Sequence, residues 1–174
     1  YGLKNYHSAR EHMTTVRAEY KAEKKLGITS GPYYTSDGVA DIVGTRDFLI
    51  LPIGSRDGGD ERRNIQDGRA TGHTNRIHAH MHSRGELPGI QDKRHAMARN
   101  HQAGIRTITL KLDVSKAHRL TAARPQDWKY LVVRLQDEAV NTEYWINLVH
   151  TFGVASAQTW WGSTAAFILR IMYS

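Results

Sequence analysis

The chain has 174 residues, enough for one compact core and hardly for two. Its 40% apolar and 24% charged residues exclude wholesale disorder. The absence of cysteine excludes disulfides and Cys-ligated zinc or iron–sulfur centres, while a formal charge of +7 suggests a polyanionic partner, the phosphate backbone being the commonest.

The opening Tyr1-Gly2-Leu3-Lys4 has neither a start Met nor the apolar stretch of a signal peptide, which reads as a piece of something larger. Basic residues run from Lys4 to Arg134, whereas the last forty residues hold only Arg170. From Tyr6 to Leu26 the pattern is helical: Met13, Val16, Tyr20 and Leu26 fall at roughly helical spacing, Ser8 with Glu11 reads as a capping box, and Gly27 supplies the stop. Gly31-Pro32 and Asp37-Gly38 are turn signals. The apolar run Phe48 to Ile53 predicts a strand, Arg56 to Asp60 a hairpin tip, and Arg62 to Asp67 the return strand. Residues 68 to 86 are polar and bear glycine, as a long loop does.

Pro88 to Gln102 predicts a short helix with Ile90, His95, Met97 and Ala98 on one side, closed by Gly104. Thr107 to Val114 alternates with period two and predicts a strand. Two further strands are expected at Tyr130 to Leu135 and Glu143 to Leu148, joined by an acidic turn at Asp137-Glu138, and a buried helix from Ala155 to Met172. Strands mixed irregularly with helices make the fold class α+β.

Three strings carry chemistry. Leu110-Lys111-Leu112-Asp113-Val114-Ser115-Lys116-Ala117-His118 ends an expected strand on a carboxylate, where a fixed backbone can hold a hard cation. Asp at a strand end is otherwise a cap or turn residue. Arg63-Asn64-Ile65-Gln66-Asp67-Gly68-Arg69, with Asn75 soon after, sets guanidinium groups on a hairpin, and a planar guanidinium donates two parallel hydrogen bonds to phosphate. Without other signals this is a solvated hairpin with charged edges. Tyr144-Trp145-Ile146-Asn147-Leu148-Val149-His150-Thr151-Phe152-Gly153-Val154-Ala155-Ser156-Ala157-Gln158 reads as strand, turn and helix, where Gly153 at the least makes the turn.

Together these strings resemble the reverse transcriptases of retroelements. The first is similar to their motif A. The second is similar to their fingers segment, Arg-x-hydrophobic-x-Asp-x-Arg leading to Asn. The third is similar to the motif B of long-terminal-repeat elements, with Thr151, Val154 and Gln158 replacing Pro, Leu and Pro. The order agrees: from Asp67 to Asp113 is 46 residues, and from Asp113 to Gly153 is 40. The resemblance covers roughly residues 40 to 174.

The resemblance implies reverse-transcriptase-like fingers in 1–105 with an N-terminal helix, and a partial palm in 106–174 with motifs A and B. The fold expected is a mixed, mainly antiparallel sheet with packed helices. Asp113 is then the catalytic, Mg²⁺-binding carboxylate. Arg63, helped by Arg56, grips the triphosphate, Val114 and His118 lie beside the nucleotide, and Phe152 with Gly153 faces the template base pair. The family places Tyr or Phe where His118 stands, to screen the sugar 2′ position. Its partners are an RNA or DNA template-primer and a dNTP. The family's second carboxylate motif, an aromatic-x-Asp-Asp hairpin, is missing from this sequence, so the expectation is a nucleic-acid-binding polymerase fragment that is inactive alone. The alternative is a noncatalytic structural subunit of a larger assembly, organellar or membrane-associated, derived from such a sequence.

Two other features compete. His78, His80 and His82 alternate as strand ligands for copper, nickel or zinc would, but no carboxylate or cysteine nearby completes a site, and a polar loop explains them. Residues 151–169 carry no formal charge over a membrane-span length, yet their Thr, Ser, Gln and Gly favour a buried helix over membrane contact. Hydrolase and nucleotide-switch fingerprints are absent from the sequence.

Overall fold

The computed structural model describes residues 3–58, 62–75, 89–108, 113–136 and 141–172. The chain folds as two compact units, Tyr1–Met81 with Lys116–Ser174, and His82–Ser115. Those bounds follow contact density and do not address the fingers and palm division at residue 105.

The first unit is α+β. Helix α1 (His7–Arg10) and helix α2 (Met13–Lys25) lead into β1 (Thr29–Tyr33), helix α3 (Ser36–Val43), β2 (Ile50–Leu51) and the hairpin β3 (Ile53–Asp57) and β4 (Arg62–Gln66). After Lys116 come 3₁₀ turns at Ala117–Leu120 and Pro125–Tyr130, then β5 (Val132–Gln136), β6 (Thr142–Asn147) and the C-terminal helix. The main sheet has the order β1-β6-β5-β2. β6 runs antiparallel to both β1 and β5, while β2 pairs parallel with β5 through Ile50↔Val132 and Leu51↔Val133. The sheet is therefore mixed and mainly antiparallel.

Period-two alternation sorts the core onto the two faces of this sheet. Val133, Leu135 and Trp145 point to one face and pack with Ala9, Met13, Val16 and Tyr20 of the N-terminal helices. Val132 and Ile146 point to the other and pack with Val39 of α3. The spacing Met13, Val16, Tyr20 puts three side chains on one stripe of α2, all of them buried, and Ala9 of α1 joins them in the core. Leu26, which the same periodicity includes, is 73% exposed because the helix ends at Lys25.

The expected single helix is broken at Glu11-His12, and the expected capping box does not form. Tyr6 is the N-cap, and the Ser8 hydroxyl instead accepts a hydrogen bond from Ser55 N at 3.2 Å. A tertiary contact with β3 has displaced the local one. Gly31-Pro32 lies inside β1 rather than at a turn, with a cis peptide. Asp37-Gly38 opens α3, where the Thr35 hydroxyl accepts from Gly38 N at 3.1 Å, so a turn signal was a helix start.

The second unit contains helix α4 (Ile90–Gln102), closed by Gly104 at φ +69°, as the sequence predicts. None of its side chains is buried. Of the expected strand 107–114, Thr107, Ile108, Asp113 and Val114 carry no strand geometry, and 109–112 lie outside the described residues. His78, His80, His82 and the Asp137-Glu138 turn also lie outside them.

Candidate functional site

The hairpin β3–β4 ends in a turn fixed by one carboxylate. Asp67 Oδ1 accepts from the backbone N–H groups of Arg69 (2.8 Å) and Ala70 (3.0 Å), and Oδ2 accepts from the Tyr6 hydroxyl at 2.5 Å. These donors hold the Asp67 carboxyl below its ordinary pKa, the Tyr6 hydroxyl foremost, and the same bond raises the Tyr6 phenol. The carboxylate is thus spent on the turn, and the turn presents Arg69.

Beside it runs the link between β6 and helix α5 (Ala155–Met172). Gln66 N donates to Phe152 O at 3.2 Å, which seals this link to the end of β4. The two backbones touch at glycines. A Cβ on Gly153 would stand 1.9 Å from Gln66 O, and the residue has φ +89°; a Cβ on Gly68 would stand 3.3 Å from Gly153 O. Only glycine satisfies both the space and the dihedral at 153.

Between these segments lies a cavity of about 470 Å³ lined by Asp67, Arg69, Thr74, His118, Thr151, Phe152, Gly153, Val154, Ala157 and Gln158. The His118 imidazole meets the Phe152 ring edge-on, with centroids 4.9 Å apart and planes at 90°. Thr74 Oγ1, His118 Nδ1 and Thr151 Oγ1 are buried with no hydrogen-bond partner among the described residues. Buried polar atoms are ordinarily paired; these three are enclosed by the surrounding protein rather than open to the cavity.

His118 sits on a rigid base. Its neighbour Arg119 is buried and donates through Nη1 to Asn147 Oδ1 (2.8 Å) and through Nη2 to Glu23 Oε2. Asn147 Nδ2 in turn donates to Leu131 O at 2.9 Å, and Gln66 Nε2 donates to the Tyr20 hydroxyl at 2.9 Å. Burial pushes the Tyr20 phenol up to about 12. This network ties α2, β4, β6 and the 3₁₀ turn Ala117–Leu120 together beneath the cavity.

Of the residues the sequence nominated, His118, Phe152 and Gly153 line the cavity. Arg56 and Arg63 do not. They are register partners across β3–β4, both exposed, on the hairpin face that also carries Ile65. Ile65 Cγ2 lies 3.4 Å from the position of a Gly153 Cβ, so the arginines share a face with the cavity's glycine edge. Their like charges stand directly opposite with no guanidinium paired to a carboxylate among the described residues, an arrangement that costs stability unless an anion bridges it.

Asp113 and Val114 belong to the second unit, and both are exposed. Among the described residues no group of three or more His, Asp or Glu side chains is placed to hold a metal ion. One carboxylate is not a two-metal donor set. The described residues around the cavity bring a guanidinium group, an imidazole and an aromatic ring together.

Asp67, Arg69, Thr151 and Gln158 all fall within the strings that nominated the site, yet only the fold shows that they meet. Arg119 had no linear signal, because its partners Asn147 and Glu23 lie 28 and 96 residues away. No protein-family model matches this chain, and no curated protein matches it. Among the described residues no helix is long and apolar enough to cross a membrane.

Proposed function

We propose that this chain is a reverse-transcriptase-like polymerase fragment whose cavity binds a nucleoside triphosphate. The observation that carries the reading is the cavity's composition. Its walls come from three segments far apart in sequence, around residues 67–74, 118 and 151–158, which are the three strings similar to fingers, motif A and motif B. Arg69 at the rim, with Arg56 and Arg63 on the adjoining hairpin face, supplies positive charge for phosphates. The overall charge of +7 suits a template-primer. Mg²⁺ enters this reading with the phosphates of the nucleotide.

Titration with Mg²⁺–nucleoside triphosphate tests it. Saturable binding is expected, and Arg63→Ala weakens it roughly tenfold, the loss of one charge-assisted contact. Because Arg63 faces Arg56, the same substitution leaves unfolding stability unchanged or slightly raised. A folded protein with no saturable binding contradicts the proposal. Neither reading expects primer extension from this chain alone, so extension that Asp113→Asn abolishes would overturn the expectation of an inactive fragment. The alternative, a noncatalytic structural subunit of a larger assembly, is favoured by the exposed apolar end of α5, where Phe167, Leu169 and Ile171 are 64%, 48% and 59% exposed.

A further inference from the structure

We infer that His150 is the latch of an acid-opened switch: protonation of its imidazole releases α5 from the body of the first unit and opens the wall that α5 lends to the cavity. α5 is held at few points. Val154 and Ala157 are buried at its start, it packs on the 3₁₀ turn Ala117–Leu120, and every residue from Ala166 to Ile171 is exposed. Between start and end, Trp160 lays its ring against His150, with centroids 6.4 Å apart and planes at 20°. The link before α5 is anchored separately, because Gln66 N donates to Phe152 O at 3.2 Å and His150 N to Thr121 O at 2.9 Å. Loss of the stack therefore frees α5 beyond Gly153 while the sheet and the link stay in place.

The imidazole fits this seat only when uncharged. A protonated ring donates from both nitrogens, yet Nδ1 of His150 is enclosed with no acceptor among the described residues. Burial is the largest obstacle to charging; Asp127 on the 3₁₀ turn Pro125–Tyr130 opposes it, and a charge on His118 adds to it. The Asp127 carboxylate is shared with Arg124, whose Nε lies 2.9 Å away. α5 itself carries no ionisable side chain before Arg170. Nor does the Trp160 face rescue the cation, since 6.4 Å between centroids lies beyond the ~6 Å over which a ring attracts one. Detached, a helix that contains Thr159, Gly162 and Thr164 frays in water, and Ala157 and Gln158 leave the cavity wall with it.

The test is hydrogen exchange of the whole chain, read peptide by peptide at pH 7.5 and 5.5 and corrected for the intrinsic amide rate at each pH. Protection over residues 155–164 should fall severalfold on acidification, to at most about tenfold, the limit for one proton taken up over the unit below 6.5. Protection over β5 and β6 should fall less, because the sheet does not open with α5. His150→Phe keeps a ring against Trp160 and removes the titration, so α5 should stay protected at both pH values. Trp160→Ala alters a residue that is 55% exposed and should leave the fold intact. It should lower α5 protection already at pH 7.5 and remove most of the pH dependence, which keeps the switch testable if His150→Phe does not fold. Equal protection of α5 at both pH values overturns the inference. So does a parallel loss over α5 and the sheet, which is global unfolding, or an acid response that neither variant changes.

Discussion

Gly153 shows how a single atom decides whether the site exists. An added Cβ would collide with the Gln66 carbonyl at 1.9 Å, and φ +89° is a conformation that L side chains rarely adopt. Gly153→Ala should therefore cost about 2–4 kcal/mol in urea unfolding. The same chemical change at Gly162, inside α5 with open space around it, should stabilise by about 0.5–1 kcal/mol through lost chain entropy. Opposite signs from one substitution type isolate the packing at 153 from glycine's general cost. His150 offers a second residue-scale test. It is buried, its ring stacks on Trp160 with centroids 6.4 Å apart, and burial lowers its pKa from 6.5, the charge of His118 pushing the same way and Asp127 opposing. Below pH 6.5 the unfolded chain takes up a proton that the folded chain resists until the lowered folded value is reached. Stability is thus intact above 6.5 and falls across that window. The thermal midpoint should drop on acidification from pH 7.5 to 5.5, and His150→Asn should flatten the drop.

At the scale of elements, the patterns that were legible are those with one dominant cause. The stripe Met13, Val16, Tyr20 reflects burial on one helical face, the apolar run Val132 to Leu135 reflects burial on both faces of the sheet, and both recur in the core. The signals that misled were local ones overridden by distant partners. Ser8 turned from capping its own helix to accept from Ser55, and the Gly31-Pro32 pair entered a strand whose other edge is β6. Leu and Phe in Phe167 to Leu169 read as buried helix, yet they are exposed, because periodicity records apolarity and not the neighbour that covers it. The Arg119 network was illegible for the same reason: three of its members, Glu23, Arg119 and Asn147, share no sequence neighbourhood. That network has an energetic signature. Removing one partner of a buried ion pair strands the other charge, so Arg119→Ala should cost roughly 3–5 kcal/mol and Glu23→Gln less, since Glu23 retains some exposure. Urea denaturation of the two variants measures both, and equal, negligible losses would mean that the clamp does not hold the turn beneath His118.

At the scale of the whole molecule, the first unit brings residues 67–74, 118 and 151–158 to one cavity, while Asp113 lies in the second. The candidate site was legible as three strings, because each has its own spacing, and illegible as a cavity, because Thr74, Thr151 and Gln158 acquire meaning only beside His118. In the proposed reading the nucleotide-facing residues belong to one compact unit, and the candidate metal carboxylate Asp113 belongs to the other. The most direct measurement is photolabelling of the folded protein with an azido-nucleoside triphosphate, followed by mapping of the labelled peptides. The account predicts competable label in peptides spanning residues 66–75, 117–120 and 150–158 together. Label confined to α4, or spread over the surface and not displaced by unlabelled triphosphate, would contradict it.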